Sequence, residues 1–417
     1  MEQLPVMPSL SFAMAALSSP SQENMQGNQT DTRNIGNGNG VATATLTLAT
    51  IHSDAALMAL APEWNALCAT LPLQHPFAEP DWHLHWWRHL RARRLLIHDR
   101  LHAFALRDAR GKLVAVAPMM ISVRPGLGAF GVKVLQFFGA DPNITEVRGL
   151  ICHPDDSDAA LAALQTYLLA HRHLWDWIEW QGLSPEQARQ LSSPGIDQPK
   201  ARVMCYRPLP ADWDTLKGGL SRNMKEAIRK CFNSLRRDGL QHRFDVVERP
   251  VDVAAALADF YRLHALRACS AEGVPHADAF RDRKSRAFLS AHAMMLARED
   301  RLRVFQLRIG GELAATRIGF VHGDQLYLYY SGYDPRWSAY SIMTTLVIEI
   351  MRWAIAQGCS VVNLSTGRDL SKLRWQPQEE VLHNAIQISP RTGSTLLFRT
   401  YTQLRGLPLM RRLSRKK

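Results

Sequence analysis

The chain reads as an α+β protein with mixed sheets, built in two halves of similar plan. Three observations predict this. Residues 101–121 and 302–333 read as strand meanders that turn at Arg110-Gly111, Gly310-Gly311 and His322-Gly323-Asp324. Such tight turns need positive φ, which glycine adopts at no steric cost. Segments with apolar residues at helical spacing bracket each meander, among them 54–71, 156–170, 253–269 and 279–297. Both halves then run in the same order, with helices first, a meander next, and a helix and a strand to finish. The order repeats although no sequence repeat is evident.

The elements follow along the chain. Residues 1–44 are rich in Ser, Gln, Asn, Gly and Thr. They cannot bury enough apolar area to offset the entropy of ordering, so disorder is expected there. Order begins near Thr45 with an alternating strand. Residues 54–71 read as one helix behind Asp54, and 79–89 as a Trp-rich helix with Pro80 in its first turn. Strands are expected at 101–106, 113–121, 134–138 and 147–151, then a helix at 156–170 and a strand at 175–180. A strand at 202–206 closes this half. The second half opens with a basic helix over 213–238, stopped by Gly239. A strand at 244–248, two helices and the second meander follow. A long helix at 338–357, a strand at 360–364, a short helix near 369–375, a strand at 381–388 and a helix at 392–403 complete the chain.

Composition narrows the class. The 417 residues allow about two to four domains. With 46% hydrophobic and 21% charged residues, fibrous and wholly disordered chains are excluded. No apolar run reaches the roughly 18 residues that a membrane-spanning helix requires. The six cysteines show no C-x-x-C pairing, which reads as free thiols in a reducing compartment. The start Met1-Glu2-Gln3 lacks a basic n-region, so no signal peptide is read and a cytoplasmic location is expected.

The net charge of +12 favours anionic partners, although a generally Arg-rich proteome gives the same balance. Two stretches concentrate it. Residues 217–237 carry seven basic side chains against Glu226, and 405–417 carry six with no acid.

The C-terminal half holds the informative segments: SRNMKEAIRKCFNSLRRDG, LRIGGELAATRIGF, YYSGYDPRWSAYS, a helix ending in AIAQG, and NLSTGRDLSKLRW. With PFAEPDWHLHWWRHL near the N-terminus, their order resembles the GNAT-superfamily acetyltransferases of bacterial cellulose and exopolysaccharide biosynthesis, the CelD-like proteins. These are related to the Fem-type aminoacyltransferases. The resemblance spans 45–406. It implies two tandem GNAT-like acyl-CoA N-acyltransferase domains, at 45–210 and 211–404, between a disordered tail (1–44) and a basic tail (405–417). It also implies acyl-CoA, acetyl-CoA among others, as co-substrate, with no permanently bound cofactor and no metal. An arm of that co-substrate enters between splayed strands, with 326–333 as one of them, and its pyrophosphate sits at the start of the following helix.

On that resemblance, Tyr329, Tyr333 and Asp334 are candidate catalytic residues. Tyr340, Ser341, Lys372, Arg222 and Lys225 are candidates for binding the co-substrate. The acceptor is an amine or hydroxyl, of the sugar or polysaccharide-precursor class. The chain departs from the family at Ser341-Ile342-Met343-Thr344, where glycines are usual, at Asn363, where an Asp is usual, and at Ser371, which replaces a Tyr before Lys372.

Plainer readings stand beside these. The tyrosines of 327–333 fit strand packing, Asp334-Pro335 fits a turn, and Lys372 and Arg374 fit solvated helix charges. The basic helix fits a solvated face as well as an anion-binding one. His85 and His89 have metal-pair spacing but no third ligand nearby, so a packed helix is favoured. Two other functions remain open: a Fem-like transferase using aminoacyl-tRNA, and a non-catalytic scaffold whose basic tail touches anionic lipid at the inner membrane face.

Overall fold

The computed structural model describes residues 46–125, 131–141, 143–270 and 277–406. The expected disorder of 1–44 and the basic residues beyond 406 lie outside them.

The first half runs β1 (Thr47–Ile51), α1 (Asp54–Ala59), α2 (Ala61–Cys68), α3 (Pro80–His89), β2 (Arg93–Arg94), β3 (Ile97–Leu101), β4 (Ala103–Arg107), β5 (Leu113–Ala117), β6 (Met119–Pro125), β7 (Gly131–Phe137), β8 (Ile151–Cys152), α4 (Ser157–Ala170), β9 (Trp177–Leu183), α5 (Pro185–Leu191) and β10 (Arg202–Pro208). The single helix expected over 54–71 is two. Pro62 cannot continue α1, because it lacks an N–H and its ring clashes with the preceding turn. Ser53, not Asp54, caps α1, accepting the Ala56 N–H at 3.2 Å. The strands expected over 101–106 and 113–121 each break in two, at His102 and at Pro118. Each break moves the chain between sheets, so that β4 and β5 join a small sheet while β3 and β6 join a large one. Of the strand expected over 147–151 only β8 forms. Gly149 instead lies against the Gln181 carbonyl, 2.9 Å from where a Cβ would stand.

The second half runs α6 (Trp213–Gly219), α7 (Arg222–Arg237), β11 (His242–Val247), α8 (Pro250–Cys269), α9 (Arg283–Arg298), β12 (Leu302–Ile309), β13 (Glu312–His322), β14 (Gln325–Tyr333), α10 (Ile342–Ala356), β15 (Val361–Thr366), α11 (Leu370–Leu373), β16 (Gln378–Ile388) and α12 (Ser394–Gly406). The expected helix over 213–238 is also two. Gly218-Gly219 disfavour helix, and Ser221 starts α7 by accepting the Met224 N–H at 3.3 Å.

The small sheet has the order β1-β4-β5-β8. The large one has twelve strands, β11-β12-β13-β14-β15-β10-β16-β9-β7-β6-β3-β2. Two of its pairs are parallel, β14 with β15 and β7 with β9. Each is bridged by a crossover helix, α10 or α4, and each follows antiparallel strands, so the halves share one plan. They also exchange strands. β10 forms where expected, yet it does not close its own half. It pairs with β15, with Tyr206 opposite Asn363. β16 in turn pairs with β9.

One apolar core joins the halves. Phe77 and Trp82, from the first half, meet β14 and α9 edge-on, Phe77 to Tyr327 at 5.3 Å and Trp82 to Phe288 at 4.9 Å between centroids. A second core fills the opposite face under α6, α7 and α10. Strand β14 is thus covered on both faces, and what remains open is its edge.

Candidate active site

That edge opens because β14 and β15 part. Their pairing runs from Gln325↔Val361 to Tyr327↔Asn363 and stops, although β14 continues to Tyr333 and β15 to Thr366. Both strands carry an extra residue at this point. Two steps on β13, from Arg317 to Gly319, face three on β14, from Ser331 to Leu328. Two steps on β10, from Met204 to Tyr206, face three on β15, from Thr366 to Asn363. A bulge bends its strand and raises the local twist. Here two bulges on neighbouring strands coincide with the parting, and the slot is the unpaired stretch between them. Ser365 holds the β15 bulge in a left-handed conformation at φ 72, and Asn363 Oδ1 steadies it by accepting the Ser365 N–H at 2.8 Å.

The slot is polar. At its vertex stands Glu146, carried in by the loop after β7. Its Oε2 accepts the Tyr327 hydroxyl at 2.5 Å and the Ser365 hydroxyl at 2.8 Å, so one carboxylate bridges both strands. Burial pushes the Glu146 carboxyl above its ordinary value, against those two hydrogen bonds and the nearby Lys372 and Arg317 charges. Burial likewise keeps the Tyr327 hydroxyl protonated, as does the Glu146 charge. Arg317 reaches in from β13 and donates to the Leu328 carbonyl at 3.3 Å. From α8, Arg267 donates to Ser331 Oγ at 2.7 Å, and its guanidinium stands 5.8 Å over the Tyr333 ring. His264 Nδ1 lies 2.9 Å from the Ser331 carbonyl. Side chains thus take up the Leu328 and Ser331 carbonyls, at the two ends of the β14 bulge.

The Glu146 loop is itself fixed. Asp141 Oδ1 accepts the backbone N–H groups of Asn143, Ile144 and Thr145, and Trp86 Nε1 donates to Asp141 Oδ2 at 2.8 Å. The Tyr329 hydroxyl donates to the Ile144 carbonyl and the Tyr330 hydroxyl to the Asn143 carbonyl, each at 2.6 Å. Tyr329 is only 2% exposed. Its hydroxyl is engaged in holding this loop.

The other expected residues fall as follows. Tyr333 ends β14, half-buried at the slot. Asp334 is buried and caps the following turn, accepting the Arg336 N–H and pairing with that guanidinium, which holds its carboxyl below the usual range. Ser341 precedes α10 at φ 53, a left-handed conformation suited to glycine, and makes no side-chain cap. The Ser341 carbonyl accepts the Thr344 N–H at 2.9 Å and the Thr345 N–H at 3.1 Å, which leaves the Ile342 and Met343 N–H groups without a side-chain cap. Arg374 is nearby, with Nη1 3.4 Å from Thr344 Oγ1. Tyr340 donates to Asp238 Oδ2 at 3.0 Å. Lys372 donates to the Thr366 carbonyl at the end of β15 and pairs with Asp369 at 3.1 Å.

Arg222 and Lys225 are not brought to the α10 start. Helix α7 meets it at Cys231, whose Sγ is 4.0 Å from the Ser341 carbonyl. At 1.5 Å per residue, Lys225 lies about 9 Å and Arg222 about 13 Å back along the axis. Arg222 pairs with Glu226 at 3.0 Å in solvent, and Lys225 donates to the Gly218 carbonyl.

The matching pair in the first half is different. Buried Phe137 and Trp180 pack there, and the start of α4 carries Asp155, Asp156 and Asp158. Acids at a helix start repel a diphosphate.

Residues 222–375, from the start of α7 through the whole slot, match the family model of the acetyltransferase (GNAT) domain. The chain carries a GNAT acyltransferase domain. Its overall fold is similar to that of FemX, with a TM-score of 0.51 at 9% identity over 81% of this chain and 97% of that one. Two further structures overlap more loosely. One is the C-terminal domain of a putative lysylphosphatidylglycerol synthetase from Agrobacterium fabrum, at TM-score 0.45 and 14% identity over 84% and 98% of the chains. The other is a tandem GNAT protein from the clavulanic acid biosynthesis pathway, at 0.43 and 11% over 81% and 98%. No curated protein matches the chain. Among the described residues no helix is long and apolar enough to cross a membrane, and no group of His, Cys, Asp and Glu side chains is placed to hold a metal ion.

Sequence reading missed Glu146, Arg267 and Arg317. Glu146 stands alone in the segment NITEVRG, far from the GNAT segments. Nothing in local spacing ties it to Tyr327, 181 positions on.

Proposed function

We propose that the chain transfers an acyl group from acyl-CoA to an amine or hydroxyl, in the slot between β14 and β15. The parting of these strands carries the reading. The start of α10, which no side chain caps, supports it as the place for the diphosphate, beside Ser341, Tyr340 and Arg374. Acyl-CoA supplies an activated thioester carbonyl. The attacking group must lose a proton, and Glu146 is the base at hand, made more basic by its burial. Tyr327 holds its own proton and orients the carboxylate. Tyr333 is the hydroxyl left to protonate the departing thiolate, and Lys372 supplies positive charge at the end of β15. The first half, about 45–210, delivers the base, and the second, about 211–404, delivers the slot. By resemblance alone the acceptor belongs to polysaccharide or cell-envelope assembly. Isothermal titration with acetyl-CoA and longer acyl-CoAs tests the reading. Binding of at least one is expected, and no heat from any of them on folded protein removes it.

The second reading, an aminoacyl-tRNA donor, draws on the exposed basic face of α7, where Arg229, Lys230 and Arg237 line one surface. It requires tRNA affinity that falls steeply with salt, as phosphate contacts release counterions.

A further inference from the structure

Arg317 is poorly served by its surroundings. It is half-buried beside the slot vertex. Among the described residues its buried Nε has no hydrogen-bond partner, and of its five N–H donors one is used, at 3.3 Å to the Leu328 carbonyl. No ion pair joins it to a carboxylate among the described residues. The nearest acids are already engaged. Glu146 accepts from Tyr327 and Ser365, and Asp369 pairs with Lys372. Arg267 adds a second positive charge to the same space. Burial and that neighbour weaken the Arg317 proton affinity, to about 10. A half-buried guanidinium whose Nε is cut off from water is best matched by an anion of fitting geometry. None of the described residues supplies one.

We propose that the acceptor substrate supplies it, through a carboxylate or phosphate that the Arg317 guanidinium holds in the slot beside Glu146. The inference rests on the acyltransferase reading for the word acceptor, although the anion site itself does not depend on it. It makes the acceptor an acidic amine or alcohol, such as an amino acid, an acidic sugar or a sugar phosphate. It gives Arg317 the role of setting specificity, because a planar fork pairs with two oxygens at once. A neutral acceptor leaves the charge uncompensated and is disfavoured.

The test is isothermal titration of the full chain with malonate, inorganic phosphate and neutral malonamide, each with and without saturating CoA. Wild type, Arg317→Met and Arg317→Lys are compared, with melting curves to verify folding. Wild type is expected to bind malonate, phosphate or both, and malonamide not at all. Arg317→Met is expected to weaken anion binding at least tenfold. Arg317→Lys, which keeps the charge but loses the fork, is expected to fall between. Preference for malonate points to a carboxylate acceptor, and preference for phosphate to a phosphorylated one. Unchanged anion affinity in Arg317→Met overturns the proposal. So does anion binding abolished by CoA, which would give Arg317 to the donor. If Arg317→Met fails to fold, the Arg317→Lys comparison decides, and equal affinity there overturns the proposal. Acetyl-CoA is titrated separately. Its failure to bind removes the acyltransferase reading while leaving an Arg317-dependent anion site standing.

Discussion

Glu79 Oε1 lies 2.5 Å from His322 Nδ1, although 243 positions separate the two residues. Glu79 stands just before α3 in the first half, and His322 ends β13 in the second. Arg301 pairs with the same carboxylate. Burial alone would raise the Glu79 carboxyl. The His322 charge and hydrogen bond, with those of Arg301, outweigh it and hold the group down to about 2. This cluster ties together the two halves that build the slot, one bringing Glu146 and the other the parted strands.

Removing the carboxylate charge leaves the buried His322 without its partner, while half-buried Arg301 keeps Glu299 at 3.1 Å. Glu79→Gln is expected to cost about 3 kcal/mol of stability. Urea unfolding should show the midpoint falling. A change below about 0.5 kcal/mol would mean that the cluster is incidental.

Acid should weaken the fold early. Burial depresses His75 to about 4, and His83 and His102 to about 3, each from 6.5. A depressed folded value means that the unfolded chain binds more protons below the unfolded value. Stability is therefore full above about pH 6.5 and falls as pH drops toward 4 and then 3. With all three histidines taking up protons on unfolding, the slope approaches about 4 kcal/mol per pH unit. Glu79 adds a further loss between about 4.5 and 2. Melting temperatures at pH 7, 5.5 and 4.5 check this, and a flat series contradicts it.

Glu146→Gln keeps the shape of the vertex and removes the base. Acyl transfer is expected to drop about 10²–10³-fold while acyl-CoA binding stays. In the wild type the rate should fall as pH drops through the carboxyl, above the usual carboxylate range, because the base must be ionised. That limb should vanish in the variant. A variant with near-normal rate and an unchanged profile would assign the base elsewhere.

The vertex shows how far sequence reaches. The meander turns, the order of elements and the position of the slot strand were legible, because glycine turns and apolar periodicity are local. The breaks at Pro62 and Pro118 carry a local signal, a proline, that the apolar runs continuing across them mask, whereas at His102 only packing decides that the strand changes sheet. Glu146 was beyond reach for a deeper reason. Its chemistry comes from Tyr327 and Ser365, which a loop from the other half must approach. Tyr329 is a catalytic candidate by its place on the strand, and its hydroxyl donates to the Ile144 carbonyl of that loop, a contact with no local trace in the sequence.

Gly332 tests how tightly α8 sits on β14. A Cβ there would lie 2.4 Å from the His264 backbone nitrogen and 2.6 Å from the Leu263 carbonyl carbon. Backbone cannot yield as a flexible side chain does, so Gly332→Ala must move the helix. The expected cost is about 2–3 kcal/mol. His264 should also shift from the Ser331 carbonyl, and hydrogen exchange along β14 should rise. Unaltered stability would show that α8 is loosely held.

Ser221 and Ser341 look alike in sequence, each a serine before a helix, but they act oppositely. Ser221 has φ −60 and caps α7 with its hydroxyl. Ser341 has φ 53 and its hydroxyl caps nothing. Ser221→Gly therefore loses a hydrogen bond, and Ser221→Ala should cost about 1 kcal/mol. Ser341→Gly loses no such bond. It relieves a left-handed strain of about 1–2 kcal/mol, set against roughly 0.5–1 kcal/mol of added freedom in the unfolded chain. A small net gain of about 0.5 kcal/mol is expected. The same change clears a side chain from the helix start proposed to hold the diphosphate. Acetyl-CoA affinity should then rise several-fold in Ser341→Gly and stay constant in Ser221→Ala. Equal acetyl-CoA affinity in both variants would move the diphosphate away from α10.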